Sequence, residues 1–136
     1  MKRLHAAMAF AVIMMVPLAS HAGSIRFMEG HNCTQESTGE ASDKSGQSIK
    51  FSKTPGFKND EAKSLQLIDV RAKAVIKVFD DPSGKTSDDY TEITVKKPIR
   101  TYCVGTFQKD LDDEFVTVTH HKHNGLDGKV SLLVVE

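Results

Sequence analysis

Three histidines close together, His120, His121 and His123, form the most conspicuous group of potentially reactive side chains in the chain. Imidazole nitrogens bind Zn²⁺ and Cu²⁺, and two histidines two apart on a strand can grip an ion from one side. On a strand continuing from Phe115, His121 and His123 share a face with Thr117 and Thr119, while His120 joins Val116 and Val118. A metal site needs a third and usually a fourth ligand, and the sequence offers His31 or Asp127 only as guesses. The plainer expectation is a polar strand end running into the Asn124-Gly125 turn. Imidazoles titrate near pH 6.5, so the cluster would also make surface charge pH-sensitive.

Carboxylates gather at Asp80-Asp81, at Asp88-Asp89 and from Asp110 to Glu114. Paired carboxylates can do acid–base work or bind hard cations through oxygen. All three groups fall where turns are expected, so they read as solvated loop tips, and the 110–114 run lacks the glycine and distal glutamate of a helix-loop-helix calcium loop. The chain has no Gly-x-Ser-x-Gly elbow, no His-Glu-x-x-His, no phosphate-cradling glycine loop and no thiol–histidine pair with a free cysteine. The expectation is a protein that is not an enzyme. Lys50, Lys53, Lys58 and Lys96-Lys97 form no stripe interleaved with aromatics, and 18 basic residues balance 18 acidic ones. Nucleic acid is therefore not an expected partner.

The two cysteines, Cys33 and Cys103, take their meaning from the N-terminus. Met1-Lys2-Arg3 opens a short basic region, Ala6 to Ala19 is almost wholly apolar, and Ser20-His21-Ala22 places small residues at a cleavage site. That is the pattern of a secretory signal over residues 1–22, cut after Ala22, with an apolar core too short to anchor the chain. No apolar run reaches the ~20 residues that span a bilayer. Removing Lys2 and Arg3 from the 18 basic residues leaves 16 against 18 acidic, a net charge of −2. The expected location is periplasmic or extracellular. In an oxidising compartment a pair of cysteines defaults to a bridge, so Cys33 and Cys103 are expected to form a structural disulfide.

Residues 23–136 are long enough for one domain with one core. Their apolar pattern has period 2, the mark of half-buried strands. Ile25-Arg26-Phe27, Ile49-Lys50-Phe51, the run from Ala74 to Phe79, Thr91 to Val95 and Val116 to Thr119 all alternate. In a longer stretch Ile99, Thr101, Cys103, Gly105 and Phe107 share one side, with Tyr102 and Val104 on the other. Val130 to Val135 is apolar on both faces, as a central strand is. Short β-branched runs separated by Gly, Pro, Asp and Asn indicate an all-β sandwich or barrel. Thr34–Ser48 and Lys53–Lys63 are polar and are expected to be surface loops.

Two local patterns occur twice and in the same order. Ile25-Arg26-Phe27-Met28-Glu29-Gly30 matches Ile76-Lys77-Val78-Phe79-Asp80-Asp81 as strand, aromatic, acid and turn. Asp60-Glu61-Ala62-Lys63-Ser64-Leu65 matches Asp127-Gly128-Lys129-Val130-Ser131-Leu132 as Asp, then Ser four residues on, then Leu and a β run. In these residues the chain resembles the βγ-crystallin superfamily. The resemblance implies two Greek-key motifs in a single β-sandwich, with Phe27 and Phe79 as the aromatics of two folded hairpins. In that family a segment (Asn/Asp)-(Asn/Asp)-x-x-(Ser/Thr)-Ser supplies calcium ligands, and its last serine holds the hairpin. Asn59-Asp60-Glu61-Ala62-Lys63-Ser64 fills the first, second and sixth slots, and Leu126-Asp127-Gly128-Lys129-Val130-Ser131 fills the second and sixth. The resemblance thus implies Ca²⁺ at Asn59, Asp60 and Asp127. The fifth slot departs from the pattern, because Lys63 would repel the ion and Val130 has no oxygen, so the binding implied is weak. Gly30 and Gly84 also sit closer to their aromatics than the family's hairpin glycine usually does.

The functional expectation is a secreted, non-enzymatic β-sandwich module with a structural, stress-related or binding role. The alternative is a calcium-independent effector, such as a protease inhibitor, toxin-like or lectin-like module. Either would meet an extracellular or periplasmic macromolecule through Thr34–Ser48, Lys53–Lys63 or Asp80–Asp89, since sandwich loops carry recognition.

Overall fold

The computed structural model describes residues 22–136, so the expected leader lies outside the described residues except for Ala22. In the first half of the described residues run β1 (Ser24–Met28), β2 (Ser37–Ser42), β3 (Gln47–Lys50) and β4 (Ser64–Val70). The second half adds β5 (Val75–Phe79), β6 (Tyr90–Val95), β7 (Ile99–Val104), β8 (Leu111–Asp112), β9 (Val116–His121) and β10 (Leu132–Val135). They build two antiparallel sheets, ordered β2-β1-β4-β7 and β3-β10-β5-β6-β9-β8. The all-β fold expected from the period-2 pattern is the fold observed.

The two halves exchange one strand each. β1, β2 and β4 lie side by side, while β3 crosses to the other sheet and pairs with β10. In the second half β5, β6 and β10 lie in one sheet, and β7 crosses back to pair with β4. One apolar core fills the space between the layers, drawing Ile25, Phe27, Leu65 and Leu67 from one sheet and Ile76, Val78, Ile93, Val118 and Leu133 from the other. At one end of that core Phe27 meets Phe51 edge-on at 5.0 Å between ring centres, with Phe57 and Phe107 each 6.4 Å from Phe27. β10 is an interior strand, as its two apolar faces require.

Two expectations are corrected, and one irregularity is added. Thr34–Ser48 is not a loop throughout, because it contains β2, paired with β1 from Ser24↔Ser42 to Met28↔Ser37. β2 escaped notice because its inward positions must be small. A β-carbon on Gly39 would lie 2.3 Å from the Phe57 ring, which packs directly on the backbone there. The longer stretch from Ile99 to Phe107 is strand only as far as Val104; within it Tyr102 and Val104 face the core opposite Leu67 and Leu65, and Ile99 and Phe107 at its two ends are buried as well. Thr101 and Cys103 face outward. Finally, alternation fails near the end of β4, where Asp69 is left-handed (φ 52°), and Val70 is buried out of phase.

Candidate functional site

Cys33 and Cys103 are bridged, with 6.1 Å between their α-carbons and 70 residues between them in sequence. The bridge ties the turn after β1 to the outward face of β7. In this turn Asn32, Cys33 and Gln35 all have left-handed backbone (φ 56°, 57° and 65°), a conformation that costs non-glycine residues free energy. Hydrogen bonds besides the disulfide hold it. The Asn32 amide donates to the Gly105 carbonyl at 2.9 Å, and the Gly30 amide to the Thr34 carbonyl at 3.0 Å. Ser64, fully buried, accepts from the Cys33 amide (2.9 Å) and donates to the Gly30 carbonyl (2.6 Å). The side chains of His31, Asn32, Thr34, Gln35 and Glu36 nevertheless stand in solvent. A backbone already fixed in this way loses little further backbone entropy on binding a partner.

His31 and Asp127, 96 residues apart, meet beside this turn at 2.8 Å (Nε2 to Oδ2). The carboxylate accepts, so Nε2 carries the proton. Asp127 also accepts from the Thr106 hydroxyl at 2.6 Å and the Phe107 amide at 2.8 Å. Both guessed partners of the histidine cluster are therefore together, but with each other. Beside them a cleft of about 190 Å³ opens between Asn32, Gly105, Thr106, Lys109 and Leu111.

The two echoed six-residue segments lie against one another. The Asp60 amide donates to the Val130 carbonyl (3.2 Å), and the Gly128 amide to the Ala62 carbonyl (2.8 Å). Asp60 is left-handed (φ 61°), and its carboxylate accepts from the Ser131 hydroxyl at 3.2 Å. Asn59 and Asp60 are exposed, and the Lys63 side chain passes Gly128. Ser64 holds the first hairpin, as the resemblance implies. Ser131 does not do the same for the second: its hydroxyl turns to Asp60 and the Lys129 carbonyl, while its amide alone reaches the Phe79 carbonyl.

The histidine cluster splits three ways. β9 ends at His121, so His123 lies beyond the strand and shares no face with it, contrary to expectation. His121 stacks on Tyr90 at 4.1 Å between ring centres, and Tyr90 on Phe79 at 5.5 Å. These rings cover each other's faces. His120 points inward with Val116 and Val118, its side chain only 4% exposed. Among the described residues no three His, Cys, Asp or Glu side chains converge as a metal requires.

His120 packs against a group expected at a solvated loop tip. Asp89 is completely buried, and its carboxylate accepts from the amides of His123 (3.0 Å), Asn124 (2.7 Å) and Gly125 (2.9 Å). Gln108 takes the next two amides, Leu126 and Asp127, at 2.9 and 2.7 Å. Two side chains thus capture five successive backbone donors. Burial pushes the Asp89 carboxyl up, but the three amides and His120 outweigh it and hold it below the usual range. No pattern in the sequence marks either residue, because each acts on a loop far along the chain.

The His120 tautomer follows from its neighbour. Thr91, also fully buried, donates its proton to the Phe107 carbonyl. Its oxygen must then accept from His120 Nδ1 at 2.8 Å, leaving Nε2 unprotonated in the neutral ring. Nε2 has no hydrogen-bond partner and lies 3.5 Å from Asp89 Oδ2. Thr91, His120 and Asp89 have the types of a nucleophile–base–acid series, but the hydroxyl is buried and its proton is committed. Burial lowers the His120 pKa despite the opposing pull of Asp89, Asp110 and Asp127. The folded state therefore binds fewer protons than the unfolded chain. The associated stability is intact above about pH 6.5 and declines as the pH falls toward the lowered folded value.

No protein-family model matches the chain, no curated protein matches it, and no solved structure matches its fold.

Proposed function

We propose that this protein is an exported, non-catalytic module of βγ-crystallin type, acting through structural persistence and binding, with Ca²⁺ as a weak ligand at Asn59, Asp60 and Asp127. The observation that carries the reading is the packing of residues 59–64 against 126–131, two segments that share a sequence pattern. Two further features support it. Each half sends its third strand, β3 or β7, to the sheet built mainly by the other half, as paired Greek keys would, and the second half adds β8 and β9 at one edge. Ser64 fastens the first hairpin turn, while Ser131 departs from that role. The basic–apolar–small order of residues 1–22 and the disulfide support export to an oxidising compartment.

The affinity should be low. Lys63 and Val130 remove a ligand oxygen from each segment, and Asp127 already receives three donors. Extracellular calcium modules reach dissociation constants of about 1 mM, at which about 10 mM Ca²⁺ contributes about 1.4 kcal/mol of native-state stability. A thermal melt of the oxidised protein in EDTA and then in calcium should show a rise of a few degrees. The same concentration of Mg²⁺ should not reproduce it, and Asp60→Ala and Asp127→Ala should each reduce it. No shift with calcium would retire the ion as a ligand.

One observation favours the second reading, a calcium-independent binding effector. It is the turn at 31–36, rigid in backbone and exposed in side chain. Capture of a macromolecular partner in EDTA, lost on His31→Ala, would mark that alternative.

A further inference from the structure

The loop from His123 to Asp127 is held almost entirely by side chains from elsewhere, and the single buried polar atom facing its main anchor without a partner is a histidine nitrogen. We propose that His120 and Asp89 form an acid-sensitive latch, in which a solvent proton taken up at His120 Nε2 turns an orphan lone pair into a donor that draws Asp89 away from the Gly125 amide and frees residues 123–127.

The geometry allows little else. Thr91 fixes Nδ1 as the protonated nitrogen of the neutral ring, so the incoming proton can only go to Nε2. The nearest acceptor there is Asp89 Oδ2, at 3.5 Å, the same oxygen that holds Gly125. Closing that gap to hydrogen-bond distance draws Oδ2 toward the ring and away from the Gly125 amide, and tilts Oδ1 on the His123 and Asn124 amides. The charged groups around the ring come from several elements: Asp89 ahead of β6, Asp110 ahead of β8, Asp127 on the loop itself, and His121 next along β9. The three carboxylates attract the proton, while burial and His121 resist it. Asp110 also accepts from the His120 amide at 2.7 Å, so β9 stays anchored while the ring changes state. Release of 123–127 would extend to His31, because Asp127 ends that loop and carries the His31 contact.

Hydrogen exchange at the His123, Asn124 and Gly125 amides tests the latch, taken as protection relative to the intrinsic rate at each pH. Imidazole nitrogen shifts of His120 are followed in the same samples between about pH 7.5 and 5. The expected result is a loss of protection of about tenfold or more, with the same midpoint as His120 protonation. His120→Gln, which cannot take up the proton, should show protection independent of pH. If that variant does not fold, coincidence of the two midpoints in the unmodified protein, and in His121→Gln and His123→Gln, decides the matter. The proposal is overturned if His120 protonates with protection unchanged, if protection is lost at another histidine's midpoint, or if neither changes across the range.

Discussion

Replacing both half-cystines, as in Cys33→Ser/Cys103→Ser, is expected to lower the free energy of unfolding by about 4 kcal/mol. The bridge spans 70 residues, so without it the denatured chain recovers the entropy of a long loop. A loss of that size is a large share of the stability of a typical domain. The folded state changes locally as well. Asn32, Cys33 and Gln35 sit in left-handed backbone because the turn is pinned to β7, and once unpinned they can relax. That relaxation offsets a little of the loss, and it takes His31 away from Asp127. Urea unfolding of the two proteins measures the difference. Equal midpoints would mean that relief of the left-handed turn in the folded state offsets the whole entropy regained by the denatured chain.

Phe27→Ala is expected to cost about 3–5 kcal/mol, the range for removing a buried aromatic side chain from a packed core. Phe27 is fully buried on β1 and sits at the centre of the cluster with Phe51, Phe57 and Phe107. None of those neighbours can easily collapse into the space. Phe57 is pressed against Gly39, and the Phe107 carbonyl is tied to Thr91. The melting temperature should fall on the order of 10–20 °C in a domain of this size. A fall of a few degrees would show that the cluster repacks, and that the layers are held mainly by the Val, Ile and Leu residues farther along.

The strands that could be read directly from the sequence are those whose two faces differ in residue type, such as β5, β6 and β9, together with the uniformly apolar β10. β2 was hidden because Gly39 and Ala41 fill its inward positions, where larger side chains have no room against Phe57. In β7 the outward face carries Cys103, and its expected partner Cys33 lies outside the sheet, in the turn after β1. The site was legible in part. Repetition brought out Asp60 through Ser64 and Asp127 through Ser131, the family resemblance added Asn59, and these segments do meet. The roles of Asp89, Gln108 and Thr91 were not legible, since each acts on backbone 16 to 36 residues away and needs no local pattern. His120, His121 and His123 looked like one cluster because they are neighbours in sequence. The pleat sends His120 and His121 to opposite faces, and the end of β9 removes His123 from both.

A calcium titration followed at the backbone amides tests the central reading most directly, because it locates the ion as well as detecting it. The account predicts weak, saturable shifts concentrated in residues 59–64 and 126–131 together, reduced by Asp60→Ala and by Asp127→Ala. Shifts confined to the carboxylates of residues 110–114, or none at all up to about 10 mM, a concentration well above the weakest extracellular calcium sites, would contradict it.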